Sequence, residues 1–229
     1  MKKIFLMLPL LFAIVSCNNK NVMTEDSQLN TMSDSISYSL GVILSHNLKS
    51  DTFYGELNPS KFVAGFKDFF NDNSEISIED AEKILTQYSA DKRLEQMDAE
   101  KKKNEEFMAK NAQKEGIITT KSGLQYEILE KGNGQMPDTN DNVYIHYKGW
   151  MIDGTVFDAL PDTQESIKLN IKGLLPGLTQ ALSMMREGDK WKIYIPYNLA
   201  YGEFGFPNSP VKPYSTLIYE IKLIKVEKQ

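Results

Sequence analysis

The chain has 229 residues, which is long enough for one large domain or two small ones. Its hydrophobic content of 41% and charged content of 25% are typical of a globular protein. The formal net charge is −5, and it becomes −7, from 24 basic and 31 acidic residues, once an amino-terminal segment with Lys2 and Lys3 is removed. So acidic a chain is not expected to bind nucleic acid, whose phosphates attract clusters of basic residues.

Residues 1–17 have the pattern of a secretory signal peptide. Lys2 and Lys3 precede an apolar run of 12 residues, 4 to 15, which is too short to span a bilayer as a helix. The run ends in Ser16-Cys17, which resembles a bacterial lipobox, and Cys17 is the only cysteine of the chain. We therefore predict that Cys17 is lipidated and that the protein is an outer membrane lipoprotein of the cell envelope, periplasmic or surface-exposed. A free thiol behind a signal peptide is the alternative.

The next part of the chain is predicted to be helical. Residues 18–32 are polar and aperiodic, as expected of a flexible tether. Across residues 33–116 apolar side chains recur at helical spacing, and Asn58-Pro59-Ser60 starts a second helix. A third helix of roughly 35 residues is expected between Ser77 and Gly116, about 50 Å long at 1.5 Å per residue. Its middle, residues 98–106, has no large apolar side chain, which favours a solvated connecting helix.

From residue 117 to 229 the apolar period changes to that of strands. A short helical pattern, residues 176–185, interrupts the alternation before Gly188-Asp189. Several strands, one short helix and hairpin-length turns indicate an α+β domain with an antiparallel sheet. Four segments alternate in this way, around Tyr126, Ile145, Ile193 and Tyr219.

The residues offer no familiar hydrolytic, metal or nucleotide chemistry. The two histidines, His46 and His146, are predicted to lie in different domains, so no His/Cys metal cluster and no cofactor are expected. The chain has no G-x-S-x-G motif, phosphate loop or dinucleotide fingerprint. We assign no catalytic role to His146, because its strand neighbours place it on the other face of the sheet. Aromatic residues beside Gly and Pro turns, and a loop at residues 203–215, predict only an aromatic-lined depression.

Six ordered blocks resemble the FKBP-type peptidyl-prolyl cis/trans isomerases. Val143–Gly149 is similar to their V-x-V-H-Y-x-G strand, and Asp153–Asp158 to their D-G-x-x-F-D-S hairpin. The other blocks are residues 174–178, 188–191, 195–202 and 216–221. Residues 34–41, 57–59 and 121–126 also resemble the Mip-like (macrophage infectivity potentiator) subfamily.

This resemblance implies an FKBP-like antiparallel sheet wrapped on a short helix in residues 117–229. It also implies that residues 33–116 form an all-α dimerisation region with one long connecting helix. The expected activity is peptidyl-prolyl isomerisation that assists the folding of envelope or secreted proteins. By position, the catalytic residues would be Tyr147, Phe157, Asp158 and Tyr201. The substrate-binding residues would be Ile167, Leu174, Leu175, Leu178, Phe206 and Tyr219.

The resemblance also implies the partners. These are proline-containing unfolded or partly folded polypeptides, a second copy of the chain and the membrane, with macrolide inhibitors as candidate ligands. Leu178 stands where the best-known eukaryotic members have Trp, and Ile167, Phe206 and Tyr219 replace Phe, His and Phe. Two alternatives remain open at this point. One is a chaperone clamp with incidental isomerase activity, and the other is a structural lipoprotein with a vestigial isomerase domain.

Overall fold

A computed structural model describes residues 28–50 and 57–229. The predicted signal peptide, Cys17 and residues 18–27 of the predicted tether lie outside the described residues. The described chain forms two compact units that divide between Ser89 and Ala90. Within the described ranges, no helix is both long enough and apolar enough to cross a membrane.

The first unit is helical, as predicted. Helix α1 spans Met32–Ser50 and α2 spans Pro59–Phe70, while α3, Ile78–Asn111, begins in this unit and ends in the second. Asn58 caps α2, because its side-chain oxygen accepts from the backbone N–H of Ser60 at 3.0 Å and of Lys61 at 3.2 Å. Ser77 caps α3 by accepting from the backbone N–H of Asp80 at 3.0 Å. These caps are the start signals from which the helices were predicted.

Neither α1 nor α2 buries a single residue within the described part of the chain. Their apolar side chains nevertheless follow helical spacing, which is the pattern of a helix that packs against another surface. Their exposed apolar residues include Ile36, Leu40, Ile43, Leu44, Phe62, Phe66, Phe69 and Phe70.

The second unit is built on an antiparallel sheet of seven strands. They are β1 Ile118–Thr119, β2 Gln125–Glu130, β3 Asn142–Met151, β4 Val156–Leu160, β5 Ile167–Asn170, β6 Lys190–Ile195 and β7 Leu217–Glu227. Their order is β1-β2-β6-β7-β3-β4, and β5 pairs with the first half of β3. The fold class predicted from the sequence is therefore confirmed.

One face of the sheet packs on helix α4, Pro176–Leu182. Ala181 and Leu182 of this helix are fully buried with Ile193 of β6 and Ile221 of β7. The helix can lie so close because Gly177 has no side chain: a Cβ atom there would lie 2.2 Å from Cγ2 of Ile195. This packing holds the start of α4 against the sheet, where the candidate site lies.

The opposite face of the sheet is covered by the end of α3. Met108 is buried against Tyr194 and Ile218, and Phe107 and Trp150 pack beside them. Asn104, in the stretch predicted to be solvated, is only 1% exposed. The prediction of a solvated middle is therefore wrong near residue 104, because the side chain of Asn104 is buried and accepts a hydrogen bond from the backbone of Thr216, just before β7.

Candidate functional site

The candidate site forms where strands β3, β4 and β7 meet the start of α4. In the sheet register Gly149 of β3 lies opposite Asp158 of β4 on one side and Tyr219 of β7 on the other. Because side chains alternate along a strand, Tyr147 and Gly149 face the same side of β3. The sheet thus brings three predicted residues, Tyr147, Asp158 and Tyr219, to one place.

These residues surround a depression of about 140 Å³. Five of its lining residues were predicted from the sequence: Tyr147, Asp158, Leu174, Leu178 and Tyr219. Four further lining residues, all aliphatic, were not predicted: Ile145, Leu169, Leu182 and Ile221. The depression is therefore an apolar cup with one carboxylate and two tyrosines at its wall.

The carboxylate of Asp158 is held by a hydrogen bond from a tyrosine that lines the depression. The hydroxyl of Tyr147 donates to Oδ2 of Asp158 at 2.8 Å. Burial, together with this bond to the carboxylate, raises the pKa of Tyr147 to about 12. Tyr147 is therefore a protonated donor at any physiological pH, and it fixes the orientation of the carboxylate.

Three aromatic rings, Tyr147, Phe157 and Tyr219, cluster on the β4 side of the depression. Phe157 packs its edge against Tyr219 with ring centroids 5.4 Å apart, and Tyr147 lies 6.3 Å from Tyr219. Tyr219 is 6% exposed, and this burial raises its pKa. Phe157 does not itself line the depression, but it supports the ring that does.

Gly149 allows these rings to close over the strand. A Cβ atom at this position would lie 2.7 Å from Cζ of Phe157 and 2.9 Å from Cε1 of Tyr219. No side chain other than hydrogen fits there without moving a ring. The residue was not predicted as a site residue, although it ends the Val143–Gly149 motif.

Tyr201 and Phe206 stack on each other in the loop before β7. Their ring centroids are 4.8 Å apart and Phe206 is 51% exposed. Burial, and to a lesser extent the negative charge of Asp158, raise the pKa of Tyr201 above its ordinary value. The two rings therefore extend the aromatic surface beyond the depression itself.

Two other predicted residues lie outside the depression. Ile167 pairs with Ile145 in the sheet and is 39% exposed, while Leu175 packs against the core just before α4.

His146 points to the other face of the sheet, where its Nε2 lies 3.0 Å from the backbone oxygen of Gln164. Within residues 28–50 and 57–229, no cluster of three or more His, Cys, Asp or Glu side chains is arranged to hold a metal ion.

Two family models together match almost the whole described chain. One, described as the domain amino terminal to FKBP-type peptidyl-prolyl isomerase, matches residues 33–128. The other, described as FKBP-type peptidyl-prolyl cis-trans isomerase, matches residues 133–224.

Individual relatives agree with these matches. The outer membrane protein MIP of Legionella longbeachae is 34% identical over 213 residues, which cover 90% of this chain and 90% of that protein. The FKBP-type peptidyl-prolyl cis-trans isomerase FkpA of Escherichia coli K12 is 34% identical over 82% of this chain and 72% of its own length. The crystal structure of FkpA from Escherichia coli has a TM-score of 0.72 at 28% identity, covering 88% of this chain and 99% of that one.

The motifs, the sheet wrapped on α4 and these matches lead to one conclusion. The chain belongs to the FKBP-type peptidyl-prolyl cis-trans isomerases, in the group that includes Mip and FkpA and carries a helical domain before the isomerase domain.

Proposed function

We propose that the depression lined by Tyr147, Asp158, Leu178 and Tyr219 binds the proline ring of a polypeptide and accelerates rotation about its X-Pro bond. The observation that carries this proposal is the depression itself, a cup lined mostly by apolar side chains in which the Tyr147–Asp158 hydrogen bond fixes the one carboxylate. A proline ring is apolar and compact, and it is flanked by carbonyl groups that need polar partners. The apolar lining of the cup suits the ring, and the hydroxyl of Tyr201, next to the cup, is the donor that we assign to a carbonyl.

The reaction demands little chemistry of the protein. Rotation about an amide bond faces a barrier of about 18–20 kcal/mol because twisting removes resonance. Since no covalent bond breaks, neither a nucleophile nor a proton transfer is needed. Each tenfold acceleration requires about 1.4 kcal/mol of preferential stabilisation of the twisted amide. A twisted amide is less polar than a planar one, so a desolvated aromatic wall favours it.

Each predicted residue has a role in this proposal. Leu178 and Tyr219 contact the proline ring, and Phe157 holds Tyr219 in place. Tyr201 donates its hydroxyl to a substrate carbonyl, and Asp158 interacts with the carbonyl that twists. Leu174 completes the floor of the cup, while Ile167, Leu175 and Phe206 shape its surroundings.

An isomerisation assay on a proline-containing tetrapeptide tests these roles. Phe157→Ala and Asp158→Ala should each lower kcat/KM at least tenfold, because one removes the support of Tyr219 and the other removes the fixed carboxylate. Asp162→Ala is the control, since this carboxylate is exposed and lies near His146 on the other face of the sheet. Wild-type rates in both pocket variants would refute the assignment. A macrolide inhibitor that binds this cup should compete with the peptide in the same assay.

We propose that the substrates are envelope or secreted proteins that are still folding. Exchange at X-Pro bonds takes tens to hundreds of seconds without a catalyst, which is long enough to limit folding. Refolding of a protein with a slow proline-limited phase should be faster in the presence of this protein. No change in that phase, with tetrapeptide activity intact, would contradict a folding role.

A chaperone clamp is the second candidate, and an exposed aromatic surface favours it. Phe204 is 82% exposed and lies in the same loop as Phe206. Phe204→Ser should reduce suppression of aggregation while leaving tetrapeptide isomerisation unchanged if the clamp operates. Equal suppression by the variant and the wild type would argue against it.

We propose that the helical region, residues 33–116, pairs two copies of the chain, leaving the isomerase domain, residues 117–229, to act on substrates. The unburied apolar faces of α1 and α2 support this proposal, because water contact with so many large side chains is unfavourable. The chain from Asn18 onward should have twice the single-chain mass in solution. Phe66→Glu should reduce the mass to that of one chain, while Lys61→Glu, a charge change on the same helix, should not.

We also propose that the mature protein is anchored in the outer membrane through a lipidated Cys17. The lipobox-like sequence supports this, and the Legionella longbeachae relative is named an outer membrane protein. Cell fractionation and mass spectrometry of the amino-terminal peptide test it. Cys17→Ser should release the protein from the membrane fraction, whereas an unmodified Cys17 in the wild-type protein would contradict the proposal.

A further inference from the structure

Three side chains near the end of α3 contact the loop that carries Tyr201 and Phe206. Lys101, Asn104 and Glu105 occupy positions i, i+3 and i+4, and therefore share one face of the helix. All three lie in the second compact unit, together with the loop. The role proposed above for Tyr201 and Phe206 makes these contacts relevant to the isomerase site.

The loop is closed at its base by a neck, defined here as residues 197–202 and 214–216. The N–H of Gly202 donates to the backbone oxygen of Tyr197 at 2.9 Å, and the N–H of Tyr214 donates to that of Gly202 at 3.0 Å. The rings of Tyr197 and Tyr214 also meet edge to face, with centroids 5.1 Å apart. The two segments of the neck are thus held together by a hydrogen bond and a ring contact at the base of the loop.

Asn104 attaches this neck to the helix. Its Oδ1 accepts from the backbone N–H of Thr216 at 2.7 Å, and its Nδ2 donates to the backbone oxygen and Oε1 of Glu100 at 2.9 and 3.0 Å. Asn104 is 1% exposed and Thr216 is equally buried. The orientation of the amide is fixed, because only its oxygen can accept from Thr216.

Glu105 and Lys101, which share the helix face with Asn104, contact the two segments of the neck. The hydroxyl of Tyr197 lies 3.4 Å from Oε1 of Glu105, and Nζ of Lys101 lies 5.6 Å from the ring centroid of Tyr214. Tyr214 has a φ of 58°, which a bulky residue keeps only where surrounding contacts hold it. The helix supplies such contacts at a strained point of the neck.

We propose that Asn104 is a positioning residue of the isomerase, which fixes the neck through Thr216 and thereby sets the placement of Tyr201 and Phe206 beside the pocket. Tyr201 follows Tyr197 by four residues, and Phe206 stacks on Tyr201 at 4.8 Å. A neck released from the helix therefore allows both rings to move. The proposal rests on the function assigned to the pocket, and it makes the last turns of α3 part of the enzyme.

Asn104→Leu tests the proposal, because it removes the acceptor and keeps a side chain of similar size. The matched control is Asn111→Leu, on the same helix and equally buried, whose amide donates to Oε1 of Gln125 in β2 at 2.9 Å, away from the loop. Both variants lose a buried hydrogen bond, so both should be less stable than the wild type. Only Asn104→Leu should lower kcat/KM for a proline tetrapeptide, by about fivefold, the effect of about 1 kcal/mol.

Amide hydrogen exchange of the full chain gives a second measurement that does not depend on activity. In Asn104→Leu, the backbone amides of residues 201–216 should exchange faster than in the wild type, and this acceleration should exceed that in the strands and helices of the second unit. In Asn111→Leu the same segment should exchange as in the wild type. An inactive wild-type protein would refute the assigned function, while exchange would still report whether Asn104 fixes the neck.

A double variant provides the rescue. In Glu100→Gln/Asn104→Asp the acceptor for Thr216 remains, and the side-chain hydrogen bond between positions 100 and 104 re-forms with donor and acceptor exchanged. It should recover part of the activity and loop protection that Asn104→Leu loses, because the acceptor for Thr216 is kept while the bond from Nδ2 of Asn104 to the backbone oxygen of Glu100 is not replaced. Asn104→Ser, whose hydroxyl is too short to reach Thr216, replaces the Leu variant if that one does not fold. Equal losses in the Asn104 and Asn111 variants, or unchanged exchange of the loop, would overturn the proposal.

Discussion

Gly149→Ala is the change whose effect the geometry of the pocket specifies most directly. The added Cβ would lie 2.7 Å from Phe157 and 2.9 Å from Tyr219, whereas carbon atoms in contact are usually about 3.5–4.0 Å apart. One or both rings must therefore retreat by about 1 Å. Because Tyr219 is buried between β3 and β6, Phe157 has more freedom to move.

The expected cost in stability is moderate. Overpacking of this kind costs about 1–3 kcal/mol, and the smaller conformational entropy of Ala in the unfolded chain offsets about 0.5 kcal/mol of it. The free energy of unfolding should therefore fall by about 0.5–2.5 kcal/mol. Activity should fall further than stability, since a 1 Å displacement of a positioning group can cost as much as about a hundredfold in rate.

The assay compares kcat/KM for a proline tetrapeptide with thermal unfolding of the same samples. Gly173→Ala is the matched control, because a Cβ atom at Gly173 meets nothing within 4 Å. We expect Gly149→Ala to lose about tenfold or more in kcat/KM while remaining folded, and Gly173→Ala to behave as the wild type. Wild-type activity in Gly149→Ala would refute the reasoning, as it would show that the placement of the two rings does not matter.

Further predictions concern the polar groups of the second unit. Tyr219→Phe should keep kcat/KM within about twofold and Tyr219→Ala should lose most of it, because no hydrogen bond to a described residue engages the hydroxyl, while the ring forms the wall. Tyr147→Phe should lower kcat/KM about fivefold by releasing Asp158, an effect measured in the same assay. The bond from Lys228 lowers the pKa of Asp141 from 3.8 to about 2. The carboxylate therefore contributes stability that is fully present above about pH 4 and is lost as the pH falls towards 2. The stability difference between the wild type and Asp141→Asn, measured by urea unfolding, should shrink over that interval and stay constant above it.

Much of the fold could be predicted because its signals are local. The caps at Asn58 and Ser77 and the alternation around Ile145 and Ile193 are properties of short segments, and the structure has helices or strands at each of them. The short strand β5 was not predicted, because its pairing with β3 is a contact between distant segments. The predicted helix at residues 176–185 ends at Leu182, where Met184 and Met185 continue in turn geometry.

The site was predictable only through the family motifs. Periodicity alone indicates an aromatic-rich sheet, and it does not show that Asp158 and Tyr219 flank Gly149. The aliphatic lining, including Leu169 and Leu182, was missed because such residues look like ordinary core. Asn104 was missed for the opposite reason: in a run of charged residues a polar side chain is expected in water, and only its bond to Thr216 explains its burial.

The central claim is that the depression beside Asp158 binds and isomerises X-Pro bonds. Exchange spectroscopy by NMR, with an isotope-labelled full-length protein and a proline tetrapeptide, tests both parts in one sample. We predict accelerated cis/trans exchange of the peptide, with shift changes concentrated at Tyr147, Phe157, Asp158, Leu178 and Tyr219. Absence of acceleration, or acceleration with shift changes elsewhere and none in this pocket, would contradict the account.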